Sequence, residues 1–219
     1  MLAAGASSRY GANKLLEPFG GGSVLGAVVA AALASQASPV MVVTGHARAA
    51  VEAALPRDSA LVVAHNPEHA EGEWPRRSKL DSYGCASTPR RPGALIILGD
   101  LPLLSSAMLN AVLARAAQGG ALIVAPRYQG QRGHPVWLAR EVWAEAMALK
   151  PGAQLRELLR ARPGDVLLFD VDDPAILMDV DTPEQMREAR DAQHQQYTRH
   201  PDPTRHPARK RGTHTADGG

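Results

Sequence analysis

Short apolar runs alternate with segments of helical character along most of the chain. Five runs have the length and the Val, Ile and Leu content of buried strands; they are residues 40–44, 60–64, 94–98, 121–125 and 166–171. Helices are predicted for residues 24–35, 47–55, 103–118, 140–149, 153–161 and 183–192. Strands that alternate with helices are typical of a parallel sheet covered on both faces, so the pattern predicts an open, doubly wound, mostly parallel α/β fold.

The clearest of these strands, residues 94–98, is apolar on both faces and leads directly into Gly99-Asp100-Leu101-Pro102. Loops at the carboxyl ends of strands carry the ligand sites of such sheets, so Asp100 is expected at the ligand-binding edge. A carboxylate there is suited to hold Mg²⁺ that bridges phosphate oxygens. The alternative is an aspartate that only caps the next helix.

The first fourteen residues form a loop of small side chains that ends in two cations. Ala3, Ala4 and Gly5 leave backbone N–H groups accessible, and the Ser7 hydroxyl can donate to a phosphate oxygen. The loop has neither the Gly-Lys-Ser/Thr of a Walker A motif nor the spacing of a dinucleotide fingerprint. With Arg9 and Lys14 it predicts a site for a nucleoside triphosphate. Because only two residues precede Ala3, either the chain start is placed several residues too far downstream or a truncated first strand anchors the loop poorly.

The pattern L-A-A-G-x-S-x-R-x-G-x-x-K over residues 2–14 resembles the signature of the MobA-like nucleotidyltransferases, which include the molybdenum cofactor cytidylyl- and guanylyltransferases. The resemblance covers most of residues 2–190. It extends to the Gly-Asp-Leu-Pro segment at 99–102 and to Asp179-Val-Asp181-Thr-Pro183, which is similar to a D-x-D-T-P motif. It implies a Rossmann-like, glycosyltransferase-A-like fold.

The resemblance also implies the chemistry of the site. Asp100 and Asp181 would be the Mg²⁺ ligands. Asp181 is favoured over Asp179 because it is nearest the start of the helix predicted at 183–192. The alternative is that Asp181 or Thr182 only caps that helix. The residues expected to be catalytic are Arg9, Lys14 and Asp100. Those expected to bind the nucleotide are Leu2, Ala3, Ala4, Gly5, Ser7, Arg9, Lys14 and Asn66.

The reaction that the resemblance implies is attack by a phosphate oxygen of an acceptor on the α-phosphorus, with release of pyrophosphate. Ala4, where the guanylyl branch usually has a second glycine, favours CTP. The acceptor is expected to be molybdopterin or the molybdenum cofactor. A molybdoenzyme or its maturation chaperone is a possible protein partner.

A segment at 127–136 resembles the acceptor side of the same family. Arg127 or Arg132 could hold an acceptor phosphate, while Gly133 and Pro135 shape a turn. His134 could act as a base or be an ordinary loop histidine.

Two segments depart from the resemblance. Residues 73–93 contain Pro75 and Gly84 and have no helical apolar repeat. Either a flexible loop or a pair of compensating frame shifts in the gene is expected there. Ser78 and Lys79 are weak candidates for substrate contacts, and the activity of the protein is expected to be reduced. Residues 191–219 are rich in His, Arg, Pro, Thr and Gly, and they are expected to form a disordered tail after a nucleotidyltransferase domain at 1–190.

The composition limits which partners, disulfides and cellular locations are expected. Aromatic residues make up 4% and the formal net charge is +2, so nucleic-acid binding is poorly supported. The single cysteine, Cys85, excludes an internal disulfide. With no apolar run of membrane-spanning length, no membrane association is expected, and the cytoplasm is the expected location.

Several alternatives stay open. Within the class they are a GTP-using enzyme and a sugar-phosphate nucleotidyltransferase. A non-catalytic protein that binds or delivers the molybdenum cofactor is a third. A nicotinamide dehydrogenase is disfavoured, because no acidic residue follows the first loop at ribose-binding distance.

Overall fold

The structure is a computed structural model in which residues 1–3, 13–67, 93–149 and 155–199 are described. Its strands are β1 (Leu2–Ala3), β2 (Pro18–Phe19), β3 (Gly22–Ser23), β4 (Val40–Thr44), β5 (Leu61–His65), β6 (Gly93–Ile96), β7 (Ile123–Tyr128), β8 (Gln131–Arg132), β9 (Val136–Ala139) and β10 (Val166–Asp170). Its α-helices are α1 (Val24–Leu33), α2 (Arg48–Ala53), α3 (Ser106–Ala117), α4 (Trp143–Met147), α5 (Leu155–Ala161) and α6 (Pro183–Arg199). Among these residues, no helix combines the length and apolar character needed to cross a membrane.

Seven of these strands follow one another in the order β5-β4-β1-β6-β9-β7-β10. β1 pairs with β4 in parallel, and a parallel bridge between Leu2 and Leu98 joins it to the end of β6. β9 is antiparallel to both of its neighbours, whereas the other six strands run in one direction. The predicted open, mostly parallel α/β sheet is therefore confirmed.

The strand β9 was not predicted, and it is the most completely buried part of the sheet. All four of its residues are buried, while the residues of β6 are only half-buried. The strand predicted at residues 94–98 does occupy an interior place, but it is less buried than β9. A run of four apolar residues directly after Pro135 was too short to stand out from a turn.

Helices cover both faces of this part of the sheet. Val112 of α3 packs against Val124 and Trp137 on one face. On the other face, Leu158 of α5 packs with Ile123 and with neighbouring buried residues of β9 and α4. The alternation of side chains along β7 and β9 thus supplies two cores, as a doubly wound sheet requires.

The helix α6 is longer than predicted. It was expected to end at Ala192, but it continues to Arg199, so residues 191–199 of the predicted tail are helical. Ala189 is buried in the core, and Arg190 donates a hydrogen bond to the carbonyl of Pro18 at 2.8 Å. These contacts with the body of the domain hold a polar sequence in helical form. Residues 200–219 lie outside the described ranges.

Candidate active site

Three charged side chains meet at the carboxyl end of β6. The Lys14 ammonium donates hydrogen bonds to Asp100 Oδ2 at 2.6 Å and to Asp181 Oδ1 at 2.5 Å. The exposed fractions of the three side chains are 12% for Lys14, 19% for Asp100 and 32% for Asp181. The structure therefore brings together the three described charged residues that the sequence motifs singled out.

Asp100 is positioned by a close approach between β1 and the turn after β6. The Gly99 N–H donates to the carbonyl of Leu2 at 2.9 Å, and the Leu2 N–H donates to the carbonyl of Ile97 at 2.8 Å. A Cβ atom at position 99 would lie 2.9 Å from the Leu2 carbonyl oxygen. Glycine at this position lets the two segments pair, and Asp100 follows at the edge where β1 ends.

Asp181 is positioned by the segment that opens α6. The Val180 N–H donates to the backbone carbonyl of Asp100 at 2.9 Å, which fixes this segment beside β6. Gln185 Oε1 accepts from the N–H groups of Asp181 at 2.8 Å and Thr182 at 3.0 Å, while Thr182 Oγ1 accepts from the Gln185 N–H at 3.3 Å. The predicted capping role of Thr182 is confirmed.

The reciprocal partner in this cap, Gln185, was missed in the sequence. The signal was present, because Thr182-Pro-Glu-Gln185 has the Thr-x-x-Gln spacing of a capping box. Since Thr182 supplies the cap oxygen, the Asp181 carboxylate is available to Lys14.

Lys14 lies where the small-residue loop joins the folded domain. Asn13 caps a 3-10 helix over Lys14–Leu16 by accepting from the Leu15 N–H at 3.2 Å, and the Leu15 side chain is buried. The backbone of Lys14 is thus fixed on both sides. Residues 4–12 are outside the described ranges, so the predicted roles of Ala4, Gly5, Ser7 and Arg9 stay predictions.

Three more of the predicted nucleotide-binding residues are described. Leu2 and Ala3 form β1 and pair with Val43 and Thr44 of β4. Asn66 is buried directly after β5, and its N–H donates to the Thr44 carbonyl at 2.7 Å. All three lie at the same carboxyl edge of the sheet as Asp100, but on the side of β1, β4 and β5.

The electrostatics of the site follow from its crowded charges. Burial disfavours the charged form of Lys14, but Asp100 and Asp181 outweigh this and raise the pKa of the ammonium. Burial, followed by repulsion from Asp100 and Asp181, raises the pKa of Asp179. Lys14 therefore stays protonated and neutralises part of a carboxylate-rich edge.

The two carboxylates that contact Lys14 have the chemistry of a magnesium site. Asp100 Oδ1 is buried and has no hydrogen-bond partner among the described residues, so it retains a free acceptor toward them. Mg²⁺ typically takes one or two carboxylates at about 2.0–2.1 Å and completes its shell with phosphate oxygens and water. Among the described residues, no three His, Cys, Asp or Glu side chains are placed to hold a metal. A pair of carboxylates that converge on one cation fits an ion shared with a triphosphate.

On the β9 side of Asp100 lies the predicted acceptor segment. A Cβ atom at Gly133 would lie 2.5 Å from the Ile176 carbonyl oxygen, and the His134 N–H donates to that same oxygen at 3.0 Å. Burial, with a smaller contribution from Arg132, lowers the pKa of His134 to about 4. A group with that pKa is a weak base at neutral pH, which argues against His134 as a general base.

The two arginines of this segment differ in their partners. Arg127 forms a two-point ion pair with Asp170, with N–O distances of 2.7 and 2.9 Å. Arg132, on β8, is exposed. Because Arg127 is held by Asp170, Arg132 is the better candidate for the predicted contact with an acceptor phosphate. Residues 68–92, which include Ser78 and Lys79, are outside the described ranges.

Comparison with known proteins agrees with this geometry. The chain is 25% identical over 186 residues to the molybdenum cofactor cytidylyltransferase of Escherichia coli K12, covering 84% of this chain and 90% of that protein. It is 28% identical over 193 residues to the purine catabolism protein PucB of Bacillus subtilis 168, covering 84% of this chain and 91% of that protein.

A solved structure and a family model extend the comparison. The structure of Rv0371c from Mycobacterium tuberculosis H37Rv in complex with manganese matches with a TM-score of 0.70 and 27% identity, over 87% of this chain and 96% of that one. The model of the MobA-like NTP transferase domain matches residues 1–167. The chain therefore belongs to the MobA-like NTP transferase family.

Proposed function

We propose that the protein is a Mg²⁺-dependent cytidylyltransferase that moves CMP from CTP to the phosphate of a pterin acceptor, the molybdenum cofactor or its molybdopterin form. Pyrophosphate is the second product. The observation that carries the proposal is the contact of Lys14 with Asp100 and Asp181. In it a cation and two carboxylates lie at the end of the small-residue loop.

The residues act by position and charge. Asp100 and Asp181 would hold Mg²⁺, which neutralises phosphate charge when it is bound. Lys14 and Arg9 stabilise the charge that develops on the phosphate oxygens during displacement. Because phosphoryl-type transfer needs little covalent chemistry from the protein, alignment and charge stabilisation account for the acceleration.

Two observations support CTP and a pterin acceptor over other substrates. Ala4 in the L-A-A-G segment favours the cytidylyl branch of the resembled family. A relative along 84% of this chain is named a molybdenum cofactor cytidylyltransferase. A molybdoenzyme or its maturation chaperone would then receive the product, and the reaction would take place in the cytoplasm.

The acceptor is tested with the purified full chain in Mg²⁺. CTP, GTP, ATP and UTP are first compared by thermal shift, and pyrophosphate release is then measured with each nucleotide in the presence of molybdenum cofactor. The proposal predicts the largest shift and cofactor-dependent release with CTP.

Each alternative has its own outcome. Release with GTP only would assign the guanylyl branch, and release only with a sugar phosphate as acceptor would assign a sugar nucleotidyltransferase. Binding of cofactor without release under any of these conditions would favour a carrier or delivery protein.

A further inference from the structure

We infer that the Lys14 ammonium holds the place of the divalent cation between Asp100 and Asp181 and is exchanged for it when the triphosphate binds. The inference rests on the proposed function and concerns the order in which metal and nucleotide reach that site.

The geometry leaves one position for two cations. Asp100 Oδ2 and Asp181 Oδ1 lie 2.6 and 2.5 Å from the same nitrogen. Mg²⁺ binds oxygen at about 2.0–2.1 Å, so closing the pair by roughly half an ångström would convert the ammonium position into a metal position. A divalent ion there would contact the ammonium and be repelled by it.

No larger cluster of potential ligands competes for the ion in the described part of the chain. Among residues 1–3, 13–67, 93–149 and 155–199, no three potential ligands are grouped for a metal. Asp100 Oδ2 and Asp181 Oδ1 both lie within hydrogen-bonding distance of one nitrogen, so a cation between them offsets the repulsion of the two carboxylates.

The side chain of Lys14 can leave that position while its backbone stays in place. Its backbone is held by the Asn13 cap and by buried Leu15, whereas the side chain is a flexible four-carbon stem with a point charge. The residue directly follows the small-residue loop, so a triphosphate on that loop would offer the ammonium new oxygen partners.

The exchange makes nucleotide and metal binding cooperative. Without nucleotide, a metal must compete with a tethered ammonium for the two carboxylates. A triphosphate attracts Lys14 away, which frees Asp100 and Asp181, and by linkage the metal then favours the nucleotide equally. An empty enzyme would therefore take up little divalent metal.

Mn²⁺ binding to the full chain, followed by the electron paramagnetic resonance of the free ion, tests the exchange without turnover. The variants are Lys14→Met, which keeps the stem and removes the charge, and Lys14→Arg, which keeps the charge. Without nucleotide, Lys14→Met is expected to bind Mn²⁺ at least about tenfold more tightly than wild type, and Lys14→Arg to bind it as weakly as wild type.

A measurement on wild type alone covers the case in which the variants fail to fold. CTP is expected to raise the Mn²⁺ affinity of wild type at least about tenfold, after correction for Mn²⁺ bound to CTP in protein-free titrations. Equal Mn²⁺ affinity of Lys14→Met and wild type, or no effect of CTP on wild type, would overturn the exchange. Tighter Mn²⁺ binding by Lys14→Met, together with a wild-type protein that releases no pyrophosphate with any of the four nucleotides, would instead leave the exchange standing and reject the proposed reaction.

Discussion

The two parts of the sheet on either side of β6 contribute to the site in different ways. On one side, β1, β4 and β5 run parallel, and the predicted nucleotide residues Leu2, Ala3 and Asn66 lie at their carboxyl ends. On the other side, antiparallel β9 brings the Gly133–His134 turn to the same edge, because it begins where β6 ends. Asp100 lies between the side that carries the predicted nucleotide residues, called the nucleotide side, and the side that carries the predicted acceptor segment, called the acceptor side.

The two sides also differ in how their geometry is secured. On the nucleotide side, backbone pairing of Leu2 with β4 and with the end of β6 positions the chain just before the small-residue loop. On the acceptor side, the Gly133–His134 turn is held by backbone hydrogen bonds to Pro126 and Ile176, and the start of α6 by the reciprocal cap of Thr182 and Gln185. The comparison predicts that changes at β6 affect chemistry most, and that changes on the acceptor side affect stability first.

The largest effect on the reaction rate is expected at Asp100, on which both sides depend. Asp100→Asn should lower kcat/KM for pyrophosphate release at least a hundredfold, about 2.7 kcal/mol, because a metal ligand and the partner of Lys14 are weakened together. Asp170→Asn is the matched control at the end of β10, where an exposed carboxylate pairs with Arg127, and its rate should stay within about twofold of wild type. Equal losses in the two variants would contradict the special position of Asp100.

The largest effect on stability is expected on the acceptor side, where His134 makes the free energy of unfolding depend on pH. Burial and Arg132 lower the pKa of His134 to about 4, although Asp100 partly opposes them. Between pH 6.5 and 4 His134 is therefore protonated in the unfolded chain but neutral in the native protein. The free energy of unfolding falls as the pH falls through this window. The loss should be roughly 3 kcal/mol.

Urea unfolding at several pH values measures that contribution. His134→Gln removes the titrating group, so its unfolding free energy should depend less on pH between 4 and 6.5 than that of wild type. Identical pH dependence in both proteins would show that His134 titrates normally in the folded state.

A smaller loss is expected when the acceptor turn is forced away from Ile176. Gly133→Ala puts a Cβ 2.5 Å from the Ile176 carbonyl oxygen and should cost about 1–3 kcal/mol in unfolding free energy. Gly99→Ala, 2.9 Å from the Leu2 carbonyl oxygen, should cost less because the contact is longer. Gly164→Ala is the control, since no atom lies within 4 Å of its Cβ position. Thermal unfolding of the three variants measures the order, and a Gly164→Ala loss as large as that of Gly133→Ala would refute it.

The smallest effect is expected at the start of α6. Gln185→Ala removes the acceptor for the Asp181 and Thr182 N–H groups and should destabilise the protein by about 1 kcal/mol. Gln185→Glu preserves the capping geometry and should lose less. Thermal unfolding of both variants checks this, and equal losses would argue against the cap.

The same division of the sheet explains what the sequence could predict. Asp100, Lys14 and Asp181 were accessible because each lies in a short motif with its own chemistry, and parallel strands bring their carboxyl ends to one edge. The α/β class followed from alternating apolar runs. Local patterns sufficed wherever one segment determined its own role.

The remaining features depend on tertiary contacts. β9 is a strand because β6 and β7 lie on either side of it, and α6 is joined to the body of the domain by contacts such as that of Arg190 with Pro18. The pairing of Arg127 with Asp170 likewise joins two strands distant in sequence. Periodicity within a single segment contains no information about these neighbours.

A crystal structure of the full chain with CTP and Mn²⁺ would test the central claim most directly. The account predicts one ion bound by Asp100 and Asp181, with the Lys14 ammonium moved onto the triphosphate. An ion bound elsewhere, with Lys14 still between the two carboxylates, would contradict it.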